Sequence, residues 1–208
     1  MEITTLTVGP LQTNCYLLTH PQTLKTIIID PAEEADFITQ EILQKKLKPI
    51  LILLTHGHFD HVLGSLEIKL NFDIPLAIHP KDLSLYKQAP QSALHWTKQS
   101  SAPVPLPDIL LSPKKPLPSP FSNLTIIPTP GHTQGGISIY SKEHNFLFSG
   151  DTLFKNGIGR TDFSYSDHSQ IKKSLKTLLK LPSQTIVYPG HGEPTTIKQA
   201  KIFLKDTL

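Results

Sequence analysis

The sequence predicts a mixed α+β fold built from two similar halves. Short runs of Ile, Leu, Val and Phe alternate with stretches whose apolar residues recur at helical spacing. The order strands, helix, strand, helix occurs twice along the chain, and in both passes His or Asp residues stand where strands end. With 208 residues, 38% of them hydrophobic and 18% charged, the chain can bury a sizeable core without disulfides. One domain over residues 1–208 is the expectation. A net charge of +3, with no basic cluster denser than Lys45-Lys46-Leu47-Lys48, argues against a nucleic-acid partner. Cys15 is the only cysteine, so an internal disulfide and a multi-cysteine zinc site are both excluded. The N-terminus has no basic stretch followed by an apolar one, and no apolar run is long enough to span a membrane. A soluble, cytoplasmic protein is therefore expected.

Taken in order, residues 3–8 and 14–19 read as two strands around a Gly9-Pro10 turn, and Thr26 to Asp30 as a third. Asp30-Pro31 offers a helix start, with Asp as cap and Pro in the first turn, followed by Phe37, Ile38, Ile42 and Leu47. Ile50 to Leu54 is an uninterrupted apolar strand. Leu63, Leu66 and Leu70 predict a helix opening near His61 or Val62, and Ile74 to Ile78 another strand. From Ala89 to Pro120 eight of the nineteen prolines, Pro113 among them, predict a long loop, with Trp96 packing it or the loop walling the active site. Leu124 to Pro128 is a strand. Gly136 to Tyr140 and Asn145 to Ser149 form a hairpin. Ile171, Leu175, Leu178 and Leu179 mark a helix capped by Ser166 or Asp167. Thr185 to Pro189 reads as the last strand, and a helix from about Pro194 carries Ile197, Ile202, Phe203 and Leu204.

Four potential metal ligands, His56, His58, Asp60 and His61, follow the strand at 50–54 within six residues. Gly57 lets the backbone bend between the first two. His132, Asp151 and His191 also stand at strand ends, so one site at one rim of two packed sheets is expected. Four ligands from one short loop suit two adjacent ions better than one. His56, His58 and His132 make one set, Asp60, His61 and His191 the second, and Asp151 has two oxygens with which to bridge them. A second bridge, a hydroxide, is the expected nucleophile. Asp60 and Asp151 are the candidate catalytic carboxylates, and the cofactor is two divalent ions, zinc first, with iron or manganese as alternatives. His20, His79, His95, His144 and His168 lack ligand spacing and read as surface or capping residues. Cys15 reads as a small core side chain, and Tyr140 and Tyr188 as packing residues.

Thr55-His-Gly-His-Phe-Asp-His61 resembles the His-x-His-x-Asp-His signature of the metallo-β-lactamase superfamily. Thr129-Pro-Gly-His132-Thr, Gly150-Asp151-Thr-Leu-Phe and Gly190-His191-Gly resemble its remaining metal motifs, in the expected order. The resemblance implies an αββα sandwich with the metals at one edge. Asp rather than Cys at position 151 is similar to the glyoxalase II branch rather than to true zinc β-lactamases. The segment Ser149 to Phe163 is similar to short glyoxalase II-like hydrolases and implies a substrate-side cation at Arg160, with an ion pair to Asp162 as its alternative role. No helical C-terminal extension of the kind that supplies most glutathione contacts in glyoxalase II is expected, and Ser164-Tyr165-Ser166 stands where many relatives have a Pro-Gly-Gly-like turn. The expected activity is hydrolysis of a small-molecule thioester, of the hydroxyacylglutathione kind. Two alternatives remain. Persulfide dioxygenases of the same superfamily share a segment like Gly159 to Phe163 and hold one iron at positions matching His56, His132 and Asp151. A non-catalytic metal-binding protein is the other.

Overall fold

The computed structural model describes residues 1–112 and 114–205, in two compact units, Met1–Leu111 and Ser112–Leu208. Pro113 lies outside the described residues.

The first unit opens with β1 (Glu2–Val8), β2 (Thr13–Thr19) and β3 (Lys25–Ile29), paired antiparallel in succession. Helix α1 (Ala35–Gln44) then crosses to β4 (Lys48–Leu53), which lies parallel to β3. Every residue of β2 is buried, as are the Ile and Leu residues at the ends of β3 and β4, which explains why those strands read as continuous apolar runs. The expected helix start at Asp30 is displaced. Asp30, Ala32 and Glu34 all take positive φ, near 50°, so the chain kinks three times before α1 begins. Asp30 caps nothing here; its carboxylate turns inward to the site described below.

The helix expected after the ligand loop is broken in two, α2 (Phe59–Val62) and α3 (Ser65–Phe72). Ile68 takes the core position, while Leu70 faces solvent. Short β5 (Leu76–Ile78) pairs parallel to β4. After a 3₁₀ turn at Pro80–Asp82, which His79 caps by accepting from Lys81 N–H at 3.3 Å, come α4 (Leu83–Lys87) and α5 (Ala89–Thr97).

The long loop expected from residue 89 therefore opens as a helix. Pro90 occupies its first turn, where a missing N–H costs nothing. Trp96 is 59% exposed and does not pack the segment. Two-residue β6 (Ile109–Leu110) completes a six-stranded sheet in sequential order. Its core joins Leu17, Ile28, Ile52 and Ile78 to Ile38, Ile42, Ile68 and Tyr86.

The second unit repeats that plan. Strands β7 (Thr125–Pro128), β8 (Ile137–Ser141) and β9 (Phe146–Gly150) pair antiparallel in succession, the last two as the expected hairpin. A small hairpin, β10 (Leu153–Phe154) with β11 (Gly157–Ile158), follows. Helix α6 (His168–Leu178) then crosses to β12 (Ile186–Pro189), parallel to β9. Asp167 is the cap of α6, accepting from Gln170 N–H at 3.0 Å. Ile171, Ser174, Leu175 and Leu178 form its buried stripe. Strand β12 is not the last, because β13 (Thr195–Thr196) pairs with it before α7 (Ile197–Phe203). Ile202 and Phe203 are exposed, and Ile197, Ala200 and Leu204 supply the packing. No helix among the described residues is long and apolar enough to cross a membrane.

Candidate metal centre

In the first unit all four candidate ligands of the loop hang from the end of β4, and Asp30 at the end of β3 organises them. Its carboxylate accepts from Thr55 N–H at 2.7 Å, from the Thr55 hydroxyl at 2.6 Å and from His61 Nδ1 at 3.0 Å. These contacts fix protons. Thr55 gives its single hydroxyl proton to Asp30, so its oxygen must accept from His56 Nδ1, 3.0 Å away. His56 and His61 thus both carry their proton on Nδ1 and present an Nε2 lone pair. His56 Nε2 lies 3.1 Å from His58 Nδ1, and His61 Nε2 lies 3.5 Å from Asp60 Oδ2. The Thr13 hydroxyl donates to the same Asp60 oxygen at 3.2 Å. His56, Asp60 and His61 are buried, and His58 is half-buried.

The bend between the histidines is clamped from behind. Gly57 N–H donates to the buried carboxylate of Asp82 at 3.0 Å. A Cβ at Gly57 would lie 2.9 Å from both Asp82 O and Tyr86 N. Glycine is required at position 57 by this close approach.

In the second unit the three candidate ligands come from three separate places. His132 follows β7 on a loop laid against the start of α6: the Ser166 hydroxyl donates to His132 O, that of Ser174 to Pro130 O, and Asp167 N–H to Gly131 O. Gly131 has φ of 139°, and a Cβ there would fall 2.3 Å from Ile171 N, so no other residue fits. His132 Nδ1 faces the backbone carbonyl of Arg160 at 2.9 Å, which again places the proton on Nδ1. Its Nε2 lies 3.5 Å from Asp151 Oδ2, and His191 Nε2 lies 3.5 Å from the same oxygen. His191 reaches it because the pairing of β9 with β12 continues as Gly190 N–H to Gly150 O at 3.0 Å.

Two ligand atoms bound tetrahedrally to one ion at ~2.0–2.1 Å stand ~3.3–3.4 Å apart. The pairs within each unit, at 3.1 and 3.5 Å, match that spacing. The three 3.5 Å pairs also set an imidazole lone pair against a carboxylate oxygen, an arrangement that a divalent cation satisfies. The donors therefore fit a metal centre built from imidazole and carboxylate.

The Arg160 guanidinium makes a bidentate pair with exposed Asp162, Nε to Oδ1 at 2.7 Å and NH2 to Oδ2 at 2.6 Å, and stacks 4.3 Å over the Phe163 ring. That is the alternative role weighed from the sequence. The reach of its carbonyl to His132 was not legible there. Asp30 and Asp82 were also missed as site residues. Asp30 did carry a signal, since it ends the third strand of its half as Asp151 ends the third strand of the other. Cys15 is fully buried, with its thiol pushed far above the ordinary range by burial and by nearby Asp30, as befits a core residue. Tyr140 is buried, and Tyr188 packs against Phe148.

The metallo-β-lactamase superfamily model matches residues 8–191. The chain belongs to the metallo-β-lactamase superfamily. It is 35% identical over 204 residues to hydroxyacylglutathione hydrolase GloC of Haemophilus influenzae, covering 97% of this chain and 95% of that one. It is 35% identical over 191 residues to the probable metallo-hydrolase YqgX of Bacillus subtilis, covering 91% and 90%. Among solved structures, BLEG-1 B3 metallo-β-lactamase superposes with a TM-score of 0.90 at 34% identity, covering 97% of each chain. TTHA1623 in a di-iron-bound form gives 0.87 at 36%, covering 94% and 96%. ETHE1 from Myxococcus xanthus gives 0.79 at 26%, covering 97% and 82%. The fold class expected from the motifs is the fold of these neighbours, and the chain is a member of a metallo-hydrolase family with His/Asp clusters suited to metal.

Proposed function

We propose that this chain hydrolyses a small thioester at a two-metal centre, where His56, His58 and His132 would hold one ion, Asp60, His61 and His191 would hold the other, and Asp151 would serve both. What supports the shared carboxylate is one oxygen, Asp151 Oδ2, standing 3.5 Å from two separate imidazole nitrogens. The likeness to GloC supports the thioester. When bound, divalent ions polarise the substrate carbonyl and lower the pKa of water from ~15.7 toward ~7.

The chain's own residues do the rest. Asp30 and the Arg160 carbonyl hold imidazoles in the metal-binding tautomer. Asp60, steadied by Thr13, stands ready to accept the proton of the attacking water. A thiolate leaves from a thiol of pKa ~8.5, so no separate acid is needed. Arg160 can meet a substrate carboxylate by exchanging Asp162 for it. Zinc and a cytoplasmic location belong to this reading.

The likeness to ETHE1 favours a second reading, a mononuclear iron oxygenase acting on persulfide, and the di-iron-bound form of TTHA1623 supports iron as an alternative metal under the first. Metal analysis of the purified chain, followed by a panel of thioesters with and without glutathione, a β-lactam and an oxygen electrode with persulfide, tests both. The hydrolase reading expects two ions and thioester cleavage. One iron with oxygen uptake contradicts it.

A further inference from the structure

We propose that a cavity beside His191 receives a carboxylate-bearing end of the thioester, with Lys155 as its receptor and Glu193 as an exchangeable internal occupant. The β10–β11 hairpin and the 190–193 turn border a cavity of about 380 Å³, within the range of small-molecule sites. Phe154 forms one wall, its ring centroid 6.3 Å from that of His191. A Cβ at Gly157 or Gly192 would meet nothing within 4 Å, so the space stays open on both sides. At the rim, Lys155 Nζ donates to Glu193 Oε2 at 2.5 Å.

The pair shows that the rim accepts a carboxylate in hydrogen-bonding geometry. It is also weakly held. The two side chains are 45% and 76% exposed, and water screens such a pair strongly. Released Glu193 returns to full hydration, and a substrate carboxylate tethered to a thioester already seated at the centre replaces it on the ammonium at a high effective concentration. Lysine suits the exchange, being a compact charge on a flexible stem that can swing from one carboxylate to another. The substrate class that follows is a thioester ending in a carboxylate; this rests on the thioester reading.

The test compares two thioesters of one acyl group, made with 3-mercaptopropionate and with N-acetylcysteamine. Preference is read as the ratio of their kcat/KM values. Lys155→Gln should lower the preference for the carboxylate by about fivefold. Glu193→Gln, by removing the competitor, should raise it about twofold. Effects of opposite sign from the two variants are not the mark of a merely structural ion pair. A readout independent of turnover is the amide NMR shifts of Asn156, Gly157 and Gly192 on titration with 3-(methylthio)propionate, which cannot be hydrolysed. Those shifts should strengthen in Glu193→Gln and vanish in Lys155→Gln. Shifts without any thioester cleavage would leave the subsite standing and overturn the thioester reading. Cleavage with a ratio and shifts indifferent to both variants would overturn the subsite alone.

Discussion

Asp30 and Asp151 occupy the same place in the two halves, each just past the third of three antiparallel strands and beside a parallel fourth strand. Their surroundings make them different instruments. Asp30 is 1% exposed, and both its oxygens are engaged by Thr55 and His61. It serves as an anchor that sets the tautomers of two histidines without presenting itself to a ligand. Asp151 is half-buried, and one oxygen faces two imidazole nitrogens. The first half thus packs four donors on one loop and uses its strand-end carboxylate to orient them. The second half scatters three donors and makes its strand-end carboxylate one of the three.

Removing the two carboxylates should separate these roles. Asp151→Ala should cut turnover by about 10³-fold or more, the scale of losing transition-state charge stabilisation, and lower metal content. Asp30→Ala should instead weaken metal affinity by about 10–100-fold, as orienting partners do, with activity returning in excess metal. Chelator competition and metal-rescued kinetics measure both. Equal, unrescuable losses would erase the distinction.

The scattered half depends on close backbone approach. A Cβ at Gly159 would lie 1.9 Å from Asp151 O and 3.0 Å from His132 Cβ. Gly159→Ala should therefore cost about 1–3 kcal/mol or more of stability and displace both ligands. Gly192→Ala, with open space but φ of 74°, should cost only about 1 kcal/mol. Denaturant unfolding of the two variants sharpens the contrast.

In the loop half, Asp82→Ala strips an acceptor from Gly57 N–H, for about 1–3 kcal/mol. Asp82→Asn keeps an oxygen there and should retain most of the stability and metal affinity. If both variants behave alike, the clamp on the His56–His58 turn is not a hydrogen bond.

The smallest effect belongs to Asp162, whose carboxyl Arg160 pulls down to about 2. A depressed folded pKa means the pairing is complete above the ordinary carboxyl range and is lost only as pH falls through about 2. The difference in thermal midpoint between the parent and Arg160→Gln should therefore stay constant from pH 7 to pH 5, while carboxyl NMR should show Asp162 returning toward its ordinary value.

Much of this was legible in the sequence because strand-end motifs are local. The apolar run before His56 and the hairpin before Asp151 announced both the elements and the candidate ligands that stand at their ends. What stayed hidden was set by backbone and by distance along the chain. The three positive-φ residues after β3 moved the start of α1 and turned Asp30 inward. Pro90 in a first helical turn disguised α5 as loop. The hold of Arg160 on His132 runs through a carbonyl, which no side-chain pattern announces.

The most direct measurement is a titration of metal-stripped protein with zinc, following bound metal and thioester cleavage together. Two equivalents should bind per chain, with cleavage maximal when the second is filled, and Asp151→Ala should hold fewer than two and lose cleavage. Saturation at one equivalent, or two ions still held tightly by Asp151→Ala, would contradict the two-metal reading.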